Sequence, residues 1–123
     1  MESTPLISIV DDDVSVRQAL KSLIDSVGFR AGVFASGEEF LNSPDVTQTD
    51  CLITDVRMPG MSGLELQERL NAAHSGIPIV FISAHEDKEA QARGLRAGAI
   101  AFLQKPFSED SLLGAITSCL DQS

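Results

Sequence analysis

The chain has 123 residues, 43% hydrophobic and 22% charged, with neither Trp nor Tyr; that is one domain's length and too apolar a composition for intrinsic disorder. Nine Lys and Arg against eighteen Asp and Glu leave a net charge of −9, which argues against a nucleic-acid backbone or an anionic membrane as direct partner. The apolar runs are strand-length, the opening MESTPL has no signal-peptide pattern, and Cys51 and Cys119 are too few for a disulfide framework or a zinc site, so a soluble, cytoplasmic protein with reduced, buried thiols is expected.

The first apolar run, Leu6–Val10, ends into three acids, Asp11, Asp12 and Asp13. Val14, Val16, Leu20, Leu23, Ile24 and Val27 then follow the spacing of an amphipathic helix that Gly28 stops. Phe29–Phe34 is a second strand; Arg30 and Gly32 within it suit a sheet edge. Ser36, with Glu39 three residues on, predicts a capping box opening a short helix anchored by Phe40 and Leu41. A third strand, Cys51–Thr54, delivers Asp55 into a loop containing Pro59, Gly60 and Gly63, and Leu64, Leu66 and Leu70 predict the next helix, ending near Gly76 and Pro78. Ile79–Ile82 leads to Ser83, and a helix over Lys88–Ala97 is stopped by Gly98. Ile100–Leu103 runs out through Gln104 into Lys105 and Pro106, and the last helix, Ser108–Leu120, carries apolar Leu112, Leu113, Ile116 and Leu120.

Strand and helix alternate throughout, which predicts an α/β fold: a parallel sheet with helices on both faces. LISIV, CLIT and IVFI are almost uninterrupted apolar and belong in the middle of the sheet. A doubly wound, five-stranded sheet of order 2-1-3-4-5 with right-handed crossovers meets that requirement. With no repeat, low-complexity tract or linker in view, residues 1–123 are expected to form a single domain.

In such a sheet the carboxyl ends of all strands lie along one edge, where ligands bind. Asp11, Asp12, Asp13, Asp55, Ser83 and Lys105 therefore converge on one crevice. Each has an ordinary role available: Asp12 or Asp13 as a helix cap, Asp55 as a loop acid, Ser83 as a strand-end hydroxyl, Lys105 as a solvated side chain. Their coincidence on four of five strands is what needs explaining. Carboxylates crowded together repel unless their pKa values rise or a cation joins them, and a hard divalent ion such as Mg²⁺ takes oxygen ligands while leaving room for a phosphate oxygen. A carboxylate can attack phosphorus to give an aspartyl phosphate, with metal and ammonium offsetting charge on the transferring group. Asp55, the most isolated acid above the middle strand, is the candidate nucleophile.

Read together, IVDDD at 9–13, TDVRMPGMSG at 54–63, PIVFISA at 78–84 and KPF at 105–107 form a pattern that resembles the receiver domain of bacterial two-component response regulators over essentially the whole chain. DVRMPGMSG and AGAIAFLQKPF are most similar to the nitrogen-fixation regulator branch, whose members usually carry a LuxR-type helix-turn-helix domain after the receiver. The resemblance implies a flavodoxin-like (βα)5 domain phosphorylated on Asp55 by a sensor histidine kinase. It implies Mg²⁺, or Mn²⁺ in its place, on Asp12, Asp55 and the backbone carbonyl of Arg57, with Asp11 assisting. Lys105 would contact the phosphoryl group, the Lys105–Pro106 bond would be cis, and Ser83 and Phe102 would be the switch pair. Phe102 stands where many receivers have tyrosine and lacks a terminal hydroxyl, so the expected readout is packing. Arg57 and His85, two residues beyond Asp55 and Ser83, are expected to tune phosphate hydrolysis by restricting the attacking water.

The resemblance further implies an acceptor, not an enzyme beyond assisting its own phosphorylation and dephosphorylation. It implies a weak, phosphorylation-favoured homodimer through helix four, strand five and helix five, and leaves two alternatives open: a stand-alone receiver, or one piece of a larger regulator with a C-terminal DNA-binding output domain. Rival readings fit less well. A haloacid-dehalogenase-like phosphatase needs a second Asp where this chain has Arg57. A pseudo-receiver would lack an acid or the lysine, and all are present. A GTPase-like switch needs a Gly-rich phosphate loop after the first strand, and none follows.

Overall fold

The computed structural model describes residues 4–121. Its strands are β1 (Leu6–Val10), β2 (Arg30–Phe34), β3 (Cys51–Asp55), β4 (Ile79–Ser83) and β5 (Ala101–Gln104), and its helices α1 (Val14–Ser26), α2 (Gly37–Leu41), α3 (Gly63–Ala72), α4 (Lys88–Arg96) and α5 (Glu109–Leu120). All pairings are parallel and the order is β2-β1-β3-β4-β5, as the sequence predicts. β1, β3 and β4 are buried at every residue, while β2 at one edge is mostly exposed or half-buried.

Because successive strand residues point to opposite faces, β3 divides its side chains between two cores. Cys51 and Ile53 join Ile7, Ile9, Val80 and Ile82 under α1 (Leu20, Ile24) and α5 (Leu112, Ile116, Cys119). Leu52, on the other face, joins Val10 and Phe81 under α2 (Phe40), α3 (Leu66, Leu70) and α4 (Ala90). Cys51 and Cys119 are free and buried; a hydrogen bond to Cys119, reinforced by burial, pushes the Cys51 thiol up and keeps it protonated.

Strand boundaries differ from the expected ones by a residue. Phe29 donates its N–H to Ile24 O at the end of α1, so β2 starts at Arg30. β3 and β4 run one residue further, pairing Asp55 with Ile82 and Ser83 with Gln104, and β5 shifts forward to Ala101–Gln104. Ser36 caps α2 by accepting from the Glu39 N–H at 3.1 Å. The reciprocal capping box belongs to α3, where Glu65 N–H donates to Ser62 Oγ and Ser62 N–H to Glu65 Oε1, both at 3.1 Å. A short 3₁₀ turn over Pro44–Thr47 carries no periodic pattern that sequence could reveal. Among the described residues no helix is long and apolar enough to cross a membrane.

Candidate functional site

Asp11 follows β1 directly and is fully buried. Its N–H continues the ladder to Phe34 O (3.1 Å), its carboxylate Oδ1 accepts from the Asp13 N–H (2.9 Å), and its carbonyl accepts from Arg17 (2.7 Å). Asp13 takes the capping role, accepting from the Ser15 N–H at 2.8 Å, which leaves exposed Asp12 free of that duty. Asp55 is the last residue of β3. One carboxylate oxygen from each of Asp11, Asp12 and Asp55 lies within 4.8 Å of the others, a spacing that suits a single hard cation with oxygen ligands.

Lys105, just beyond β5, reaches across: its Nζ is 3.2 Å from Asp11 Oδ2 and 3.7 Å from Asp55 Oδ2. The Lys105–Pro106 peptide is cis. Burial, and next the charge of Asp11, push the Asp55 carboxyl above the usual carboxylate range, against the opposing pull of Lys105 and the N–H groups of Arg57 and Val56. The Arg57 N–H lies 3.4 Å from Asp55 Oδ1. Three carboxylates that each offer an oxygen within 4.8 Å of the others are the hard donors such an ion takes, so the donor set fits a divalent metal.

The loop after β3 is held down by backbone. Gly63 donates its N–H to Val56 O at 2.9 Å, and a Cβ on Gly63 would stand 2.2 Å from the Asp55 carbonyl oxygen. Only a residue without a side chain lets α3 start this close to the end of β3, which explains that glycine beside the acid.

Ser83, at the end of β4 and 1% exposed, is closed on the loop that follows. Its hydroxyl donates to His85 O (2.9 Å) and accepts from the His85 N–H (3.2 Å). The His85 residue is exposed. Phe102 on β5 is half-buried, its ring centroid 6.1 Å from that of Phe81.

The Arg57 side chain forms an ion pair with Asp87 at 2.7 Å. Asp87 is the N-cap of α4, its other oxygen accepting from the Ala90 N–H at 2.9 Å. That cap and the Arg57 pair together hold the Asp87 carboxyl below the usual range. Sequence reading did not single out Asp87. An acid immediately before the predicted helix is a cap signal, but nothing in the chain announces its pairing with a residue thirty positions earlier.

The family model for the response regulator receiver domain matches residues 7–117. Response regulator protein TmoT of Ectopseudomonas mendocina is 49% identical over 115 residues, covering 94% of this chain and 52% of that protein. Transcriptional regulatory protein FixJ of Bradyrhizobium diazoefficiens is 37% identical over 117 residues, covering 95% and 57%. The solved structure of response regulator StyR superposes with a TM-score of 0.91 at 49% identity, over 98% of this chain and 61% of that one. The chain thus spans about half the length of the curated relatives it matches.

Proposed function

The chain belongs to the response regulator receiver domain family, and from that premise we propose that Asp55 is its phospho-acceptor, taking a phosphoryl group from the phosphohistidine of a sensor histidine kinase. The observation that carries this reading is the convergence of Asp11, Asp12, Asp55 and the Lys105 ammonium on one strand edge. An Asp55 carboxylate oxygen forms the new bond to phosphorus as the phosphorus–nitrogen bond of the donor breaks. Lys105 stays on the edge to neutralise the group that arrives, and Asp11 keeps Lys105 in place. The metal, Mg²⁺ with Mn²⁺ as a substitute, would be held by Asp11, Asp12, Asp55 and the carbonyl of Arg57. When bound it supplies positive charge for the phosphoryl oxygens.

In this reading Ser83 exchanges its His85 partner for a phosphoryl oxygen, and Phe102 turns into the space released. His85 and Arg57 tune hydrolysis. The chain is an acceptor, not a turnover enzyme. It functions in the cytoplasm as a single domain over residues 1–123. The face of α4, β5 and α5 serves a phosphorylation-favoured dimer and a DNA-binding output domain beyond these residues. Intact mass after incubation with acetyl phosphate and Mg²⁺ tests the central claim. One phosphoryl group is expected on the unsubstituted chain and none on Asp55→Asn. Phosphorylation of both would move the acceptor elsewhere, and phosphorylation of neither, with kinases failing too, would leave an interaction module.

A further inference from the structure

Resting on the reading of Asp55 as acceptor, we propose that Asp87 is a positioning residue: it holds the Arg57 guanidinium off the acceptor and thereby sets the lifetime of the phosphorylated state. Arg57 lies two residues from Asp55, and its N–H already touches that carboxylate. Its guanidinium does not. Among the described residues the cation paired with Asp55 is Lys105, and the anion paired with Arg57 is Asp87.

Asp87 is built for this hold. Its Oδ1 is fixed by the Ala90 N–H at the start of α4, which aims Oδ2 at Arg57, 2.7 Å away. The bond joins the loop after β3 to the loop after β4. The Arg57 side chain is 64% exposed, so the pair is solvated and weakly held. A phosphoryl group on Asp55 carries close to two negative charges and competes with Asp87 for the same guanidinium. Whichever carboxylate or phosphoryl group holds Arg57 decides whether its planar head lies over the phosphoryl oxygens, where it obstructs an incoming water. With Asp87 in place that cover is partial; without its charge the cover is more complete.

Asp87→Asn separates this role from capping, because Asn caps a helix as well as Asp does but carries no charge. The chain and its variants are phosphorylated with acetyl phosphate and Mg²⁺, freed of donor, and followed by intact mass, with thermal melting to check that each is folded. Asp87→Asn is expected to lengthen the phosphate half-life at least about threefold in the Arg57 chain and to leave it nearly unchanged in Arg57→Ala, a non-additivity that a purely structural role does not produce. Asp87→Glu, which restores the charge, is expected to return the half-life towards its original value. An unchanged or shortened half-life in Asp87→Asn, or equal lengthening in both backgrounds, overturns the assignment. If the unsubstituted chain takes up no phosphoryl group from acetyl phosphate or from any histidine kinase, the reading of Asp55 falls, and this assignment with it.

Discussion

The two halves of the functional edge are attached to the molecule by different forces. Asp11 directly follows β1 and Asp55 ends β3, two strands whose every residue is buried. Phe102 and Lys105 come from β5 and the turn after it, and no residue of that strand is fully buried. Beside β5, α4 buries only Ala90 and Gly94. Much of its attachment is polar: Gln67 Nε2 donates to Gly94 O at 2.9 Å, Asn71 Nδ2 to Ala97 O at 3.1 Å, and Arg93 pairs with Glu68. Displacing β3 would expose core on both faces of the sheet, whereas displacing α4 exposes little. The buried acids Asp11 and Asp55 are held by the first kind of element, and the surface proposed to respond sits on the second.

The most damaging single change should be Gly63→Ala. Its Cβ meets backbone at 2.2 Å, which cannot yield without lifting α3 from the end of β3, so a loss of about 3 kcal/mol is expected in urea unfolding. A loss below about 1 kcal/mol would mean that the acidic edge gives way as easily as α4 does. Gln67→Ala should cost about 2 kcal/mol by leaving a gap and removing one of the two hydrogen bonds to the Gly94 carbonyl, which keeps that from the Ala99 N–H. Amide exchange should then rise in α4 while β3 stays protected, and an equal rise in both would erase the contrast.

Asp55→Asn should act in the opposite direction, stabilising the chain by about 1 kcal/mol at neutral pH in EDTA. The Asp55 carboxyl is raised in the fold, so its contribution to stability is complete below the ordinary carboxylate pKa and is lost as pH rises through the folded value. Asn does not ionise and avoids that loss. The gain should therefore be present at about pH 7 and gone by about pH 4 in thermal melting, and a gain independent of pH would remove the electrostatic explanation. Gly94→Ala should have the smallest effect. Its Cβ would press on the Phe81 ring at 2.9 Å, but α4 can shift and gains helix propensity, leaving a net change within about 1 kcal/mol by urea unfolding. A loss as large as that at Gly63 would show α4 to be as firmly seated as β3.

The same contrast governs what could be read from the sequence. LISIV, CLIT and IVFI are legible as central strands because complete burial demands apolar residues at every position, and the strand-edge rule then brings Asp11, Asp55, Ser83 and Lys105 together without any side-chain geometry. What escaped depends on local choices between similar signals or on long side chains. Ser36 with Glu39 and Ser62 with Glu65 offer the same capping pattern, and the box forms reciprocally at the second, where the glycines had suggested only loop. Cys51 and Cys119 are legible as reduced, buried thiols, but that α5 lays one on the other is set by packing across the sheet. The bond between Arg57 and Asp87 joins two loops thirty residues apart in the chain, and it exists because the fold brings their side chains within reach.

The Ser83 hydroxyl, closed on His85 O, has one proton to give. While it points that proton at the loop it can donate nothing to a newcomer on Asp55, and once it donates to the newcomer the His85 carbonyl must find another partner or face water. The two bonds are mutually exclusive at the level of a single hydrogen atom. A switch built on that choice has no half-way setting in any one molecule, so a graded cellular response can arise only as a changing proportion of molecules in each setting.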